Sequence, residues 1–154
     1  MQFRLVPENQ SSSFDSPSIP VWVNVEVFEQ WWSKDVDYFE PGTKNWMKAT
    51  FFSGLESIPT LYIGRASISI KNGRECLYFK GGRHRTRWLL DMGVNPLPVA
   101  LSPSALAKAD EIGLLIRLME EGEVLELPIT LEQIQSEQIE YDNLLVDINI
   151  TQNE

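Results

Sequence analysis

"FKGGRHRTRWLLDMGV", residues Phe79 to Val94, places two glycines, three arginines and the only histidine of the chain within nine residues, then turns apolar. A strand that ends in Gly81-Gly82 can turn sharply and approach a ligand with no Cβ in the way. The following helix is predicted from about Arg83, with Trp88, Leu89 and Met92 toward the core and Gly93 as its C-terminal stop. Its unbonded N–H groups and the positive end of its dipole then face the turn, a setting suited to a phosphate. Arg83 and Arg85 add planar donors that grip phosphate oxygens in pairs. His84, titrating near neutrality, can donate to phosphate or move a proton. Basic side chains in a first helical turn oppose the dipole by roughly 0.3 to 1 kcal/mol each when exposed. A helix selected for stability alone would carry Asp or Glu there. The sequence therefore nominates Gly81, Gly82, Arg83, His84 and Arg85 as a phosphate cradle, with Arg83, His84 and Arg85 as candidate catalytic groups. Arg65 either extends this basic side or is a surface charge.

The charge distribution agrees. The 154 residues carry 13 basic and 22 acidic side chains, a net charge of −9, which argues against broad duplex-DNA affinity. Yet Arg65, Lys71, Arg74, Lys80, Arg83, Arg85 and Arg87 cluster between positions 65 and 87, whereas ten acidic and no basic residues follow Arg117. Such asymmetry points to one anion-binding side. A single cysteine, Cys76, excludes an internal disulfide and a zinc site built on several thiolates, and its apolar strand-like setting predicts an inert thiol. No apolar run is long enough for a membrane span and no secretory leader is recognisable, so a cytoplasmic location is expected.

Working outward, "SSSFDSPSIP" makes residues 1–19 an extended or disordered lead-in to one domain over residues 20–150. "VWVNVEVF" alternates Val21, Val23, Val25 and Val27 against Trp22, Asn24, Glu26 and Phe28, a strand, with an amphipathic helix following from Phe28 to Phe39. A loop at "EPGTKN" leads to a short helix reaching about Leu55 and an extended stretch from Pro59 to Ile63. Asn72-Gly73 predicts a tight hairpin running straight into Gly81-Gly82. "VNPLPVAL" reads as a strand. A second major helix is expected from Ser102 or Ser104 through Ile116 to Met119, then a helix at "TLEQIQSEQI" and a last strand at "NLLVDINI". The fold class is α+β, a small mixed sheet with flanking helices.

The stretch "FKGGRHRTRWLLDMGVNPLPV" resembles the core of the ParB/sulfiredoxin superfamily, most closely the plasmid fertility inhibition factors, with their F-x-x-G-R-H-R-x-x-W-L-x-D-x-G-x-x-x-x-P-V pattern. "VWVNVEVFEQWW" and "ESIPTLYI" sit where that group has its first strand, its following helix and its pre-hairpin segment. The resemblance covers about residues 20 to 115 and is specific around 79 to 99. It implies a ParB/sulfiredoxin-like α+β fold whose turn, here Gly82, Arg83, His84 and Arg85, binds nucleotide phosphate or a nucleic-acid backbone. It also implies ATP with Mg²⁺ as a cofactor, ATPase or DNase activity, and interference with conjugative DNA transfer. Sulfiredoxins carry a nucleophilic cysteine where this chain has Arg83, and guanidinium cannot replace a thiolate, so sulfinic acid reduction is not expected.

Phosphoryl chemistry requires a metal held by carboxylates or a placed base. Glu75 and Asp91 are near the turn in sequence, and Glu56 is a candidate to approach it in space; Asp91 has the alternative of pairing with Arg87 at i, i+4. Three functions remain open: a nucleotide-dependent ATPase or nuclease; a non-catalytic inhibitor docking onto a conjugation or secretion component through acidic residues such as Glu137, Glu140 and Asp142; and a purely structural turn.

Overall fold

The computed structural model describes residues 1–8, 17–55 and 57–153, excepting the side chains of Tyr141 and of residues 145–153. In chain order the elements are β1 (Gln2–Pro7), β2 (Ile19–Val23), α1 (Val25–Trp32), a 3₁₀ turn (Ala49–Phe51), β3 (Phe52–Ser53), β4 (Thr60–Ile63), β5 (Arg65–Lys71), β6 (Arg74–Gly81), α2 (Arg83–Asp91), β7 (Leu97–Leu101), α3 (Pro103–Glu111), β8 (Leu115–Leu118), β9 (Val124–Glu126) and α4 (Leu131–Asn153). The α+β class is as expected, but the strands form two mixed sheets rather than one. Their orders are β3-β4-β1-β9 and β6-β5-β7-β2-β8. In the first, β1 runs parallel to β4 and antiparallel to β9; in the second, β5 pairs with β6 antiparallel and with β7 parallel.

The hairpin forms as predicted. Asn72 and Gly73 adopt positive φ of 54° and 78°, the conformation a two-residue turn requires, and the ladder runs from Lys71↔Arg74 to Arg65↔Gly81. The strand at Leu97–Leu101 is buried along its whole length and pairs with β2.

Five expectations are corrected. Residues 2–7, read as lead-in, are the strand β1, because Phe3 is fully buried and the backbone is paired on both sides; residues 9–16 of that lead-in lie outside the described residues. The strand at "VWVNVEVF" stops at Val23: the Asn24 side chain accepts from Val27 N at 2.9 Å, capping a helix whose Phe28 and Trp32, four residues apart, enter the core. That helix in turn ends at Trp32 rather than Phe39. The helix begun after Ser102 ends at Glu111, because Gly113 takes φ +76° and turns the chain into β8, where Ile116 and Leu118 are exposed. "NLLVDINI" continues α4 instead of forming a strand, since no Gly or Pro after Pro128 interrupts the helix.

One apolar cluster joins the sheets and helices, with Phe3 and Leu61 from the first sheet, Val21, Leu77 and Leu101 from the second, and Phe28, Trp32, Leu89 and Ile134 from helices. Trp32 packs edge-on to Phe79 at 4.9 Å, and Trp88 packs on Phe51 at 5.5 Å. Removing either indole would cost about 3 to 5 kcal/mol. This core fixes both flanks of the Gly81-Gly82 turn: Phe79 precedes it, Trp88 follows it. The connection Ile63-Gly64-Arg65 carries the chain from the first sheet to the second beside the same turn. No helix among the described residues is long and apolar enough to cross a membrane.

Candidate functional site

Gly82 caps α2 in a left-handed conformation, φ 82° and ψ 22°, with no side chain capping the free N–H groups. Its carbonyl accepts from Thr86 N at 3.0 Å and from the Thr86 hydroxyl at 2.8 Å. A Cβ on Gly82 would lie 2.6 Å from Gly64 Cα, and one on Gly64 would lie 2.7 Å from Thr86 Oγ1. Two backbones are thus pressed together, and only glycine at both positions permits it. The role of Gly64 is not visible in a linear reading, because its partner is eighteen residues away.

From this turn the three motif side chains spread. Arg83 stacks over Phe39 at 4.5 Å and donates to Asp37 O at 3.3 Å. His84 lies edge-on to Trp46 at 4.8 Å and to Phe51 at 5.4 Å, with Nε2 3.1 Å from Trp46 O. Arg85 turns inward: its side chain is 10% exposed, and Nη1 stands 3.6 Å from Glu8 Oε2. Burial lowers the His84 pKa from its ordinary value, and Lys48, Lys44 and Arg85 lower it further against the opposing effect of the hydrogen bond to Trp46 O. Burial likewise lowers that of Arg85, with Glu8 offsetting part of the effect.

Gly82, Arg83, His84 and Arg85 line one pocket of about 390 Å³ with Phe39, Lys44, Lys48, Thr50 and Phe51. Four basic residues and His84 therefore line one concavity, and no carboxylate lines it among the described residues. Lys44 lies in the stretch read as a loop and Lys48 in the one read as a short helix, which is instead an extended approach to the 3₁₀ turn at Ala49–Phe51; the alternation of Lys with Trp46 was the available signal. Lys44 sits over the rings of Phe39 (4.7 Å) and Trp46 (5.2 Å), and Trp46 is 49% exposed. The arrangement offers cations to phosphate and aromatic faces to a base.

Gly81 faces a second pocket, about 330 Å³, shared with Asp35, Asp37, Lys71, Phe79, Lys80, Gly82 and Arg83. Lys71 ties its two carboxylates, at 3.1 Å to Asp35 and 2.8 Å to Asp37. That bond, followed by the Lys71 charge, lowers the Asp37 pKa. Asp35 is buried, with Oδ2 unpartnered among the described residues.

The other nominated residues lie elsewhere. Arg65 is buried rather than a surface charge, and although it is the ladder partner of Gly81 it lines neither pocket; its Nε and Nη1 have no hydrogen-bond partner among the described residues. Asp91 pairs with Arg87 at 3.3 Å and accepts from Gly42 N at 2.9 Å, and so braces the fold. Glu75 is bound to Lys108 at 3.1 Å, at the hairpin end of β6 opposite to Gly81. Glu56 lies outside the described residues. Cys76 is buried, and burial raises its pKa, as an inert thiol requires. Glu137 and Glu140 of α4 line a groove with Trp46, Met47, Lys48 and Leu144, beside the basic pocket.

No family model, curated protein or solved structure matches the chain.

Proposed function

We propose that the protein binds the phosphate groups of a nucleotide or of single-stranded nucleic acid in the pocket lined by Lys44, Lys48, Arg83, His84 and Arg85. The observation that carries this reading is the convergence of those five side chains on one concavity at an uncapped helix N-terminus, next to exposed Trp46. Arg83 and Arg85 are only loosely paired, at 3.9 Å to Asp37 and 3.6 Å to Glu8, and Lys44 and Lys48 have no carboxylate partner among the described residues, so the four cations keep positive charge to offer an anion. Stacking on Trp46 and Phe39 would add base contacts that tolerate any sequence, consistent with a chain too acidic for general duplex binding. The likeness of the G-R-H-R turn to that of ParB/sulfiredoxin proteins and plasmid fertility inhibition factors supports the same ligand class, and a role in interference between mobile elements.

Of the two activities raised, binding is favoured over ATP or DNA hydrolysis. The residues fit ATP phosphates but fit resident Mg²⁺ poorly. Among the described residues no three acidic, His or Cys side chains form a cation site, and the nearest carboxylate pair, Asp35 and Asp37, is already occupied by Lys71. Docking to a conjugation or secretion protein through acidic α4 is the second reading, and it draws on Glu137 and Glu140 standing beside the pocket.

Titration with a short oligothymidylate, followed by tryptophan fluorescence, tests the first reading. Saturable quenching that is lost in Lys44→Ala, Lys48→Ala and in Trp46→Ala variants is expected. Unchanged fluorescence and no retention of the oligonucleotide would overturn it and favour the docking module.

A further inference from the structure

The turn that is built for an anion already holds one of the protein's own. Glu8 follows β1, and its backbone N donates to Ile63 O at 3.0 Å, which fixes its position against the Ile63-Gly64-Arg65 connection. Its carboxylate lies flat on the turn. A Cβ on Gly81 would stand 2.6 Å from Glu8 Oε2 and 3.0 Å from Oε1, and one on Gly82 would stand 3.2 Å from Oε2 and 3.1 Å from Arg85 Nη1.

The contact with Arg85 is one of charge without directional bonding. At 3.6 Å it exceeds the 2.7 to 2.9 Å typical of a guanidinium–carboxylate hydrogen bond. Glu8 Oε2, Arg85 Nε and Arg85 Nη1 are all buried with no hydrogen-bond partner among the described residues. Such groups are ordinarily satisfied, and leaving them so is unfavourable. The Glu8 side chain is 34% exposed, which leaves it a route outward, whereas Arg85 is held within.

We propose that Glu8 is an internal counter-anion that occupies the turn in the free protein and is displaced when a ligand phosphate binds Arg85. Resting on the phosphate-binding reading above, this adds its regulation: the carboxylate sets an affinity threshold, so that only a multiply charged phosphate, which can bond both orphaned Arg85 nitrogens, competes successfully. A singly charged carboxylate ligand would gain nothing over Glu8.

The test is calorimetric titration of the native protein, Glu8→Gln and Glu8→Asp with inorganic pyrophosphate, each variant first shown to be folded by its urea transition. Glu8→Gln keeps the shape and removes the charge; it is expected to bind about tenfold more tightly, since like charges brought together oppose association. Glu8→Asp, one methylene shorter, withdraws the charge from Arg85 and is expected to tighten binding by a smaller factor. Equal affinities in all three would overturn the counter-anion while leaving the pocket intact. Weaker binding in Glu8→Gln would also overturn it, because Glu8 would then assist the ligand. No binding by any of them would overturn the phosphate-binding reading, and the counter-anion with it.

Discussion

Arg87 Nη2 lies 2.6 Å from Glu29 Oε1, so the third arginine of the motif is bonded to α1 and not to the pocket. Arg87 also donates to Phe39 O at 3.0 Å and to the Tyr38 hydroxyl at 3.3 Å, and its side chain is 3% exposed. Tyr38 meanwhile donates to Glu29, and its pKa is raised to about 12 by burial and that bond. Removing one member of a buried ion pair strands the other. Arg87→Ala should therefore destabilise the fold by about 3 kcal/mol, whereas Arg83→Ala, at a half-exposed site, should change stability by about 0.5 kcal/mol or less. Urea unfolding of the two variants makes the comparison.

Gly64 offers a test of the turn from outside the motif. Gly64→Ala would drive a methyl group to 2.7 Å from Thr86 Oγ1 and 3.1 Å from Gly82 O. A loss of about 1 to 3 kcal/mol is expected from such overpacking, together with weaker anion binding because the Gly82 cap is displaced. Wild-type stability and affinity would mean that the close approach of the two backbones is not what shapes the cradle.

His84 carries the pH dependence. Burial first, then Lys48, hold its folded pKa below the ordinary 6.5, so the unfolded chain takes up a proton before the folded one does. The unfolded state thus binds more protons between the depressed value and 6.5, and this contribution to stability falls as pH drops through that window. A phosphate bound nearby reverses the effect by favouring imidazolium. Anion binding near pH 6 should be accompanied by proton uptake, seen as a binding enthalpy that varies with the ionisation enthalpy of the buffer. His84→Gln should abolish that variation.

The ion dependence follows from the number of cations in the pocket. Lys44, Lys48, Arg83 and Arg85 together should give oligothymidylate binding a log–log salt slope of about −2 to −3. Each Lys→Ala substitution should reduce its magnitude by a little under one. A slope near zero would mean that aromatic contacts alone hold the ligand.

Local chemistry made the centre of this fold readable. Asn72-Gly73, Gly81-Gly82 and Gly93 all stand at turns, because each marks a positive-φ position that few other residues tolerate. What misled was periodicity at positions where a single residue overrides it. Val21 to Val27 alternate like a strand, but the Asn24 cap ends the strand after Val23; Ile116 and Met119 continue a helical spacing that Gly113 breaks. The site was half visible for a different reason. Arg83, His84 and Arg85 are contiguous, whereas Glu8, Asp35, Lys44, Lys48 and Gly64 reach the turn only through tertiary packing. Two of the nominated carboxylates proved to be bound elsewhere, Asp91 by Arg87 and Glu75 by Lys108, since near a basic cluster any acid has a nearby cation to claim it.

If Arg83, His84 and Arg85 form a working phosphate cradle, calorimetric titration of the native protein with ATP, with and without Mg²⁺, beside a folded Arg83→Ala, His84→Ala variant, will show it. Saturable binding by the native protein that disappears in the variant is the predicted result. Heats of dilution alone from the native protein, or equal binding by both, would contradict it.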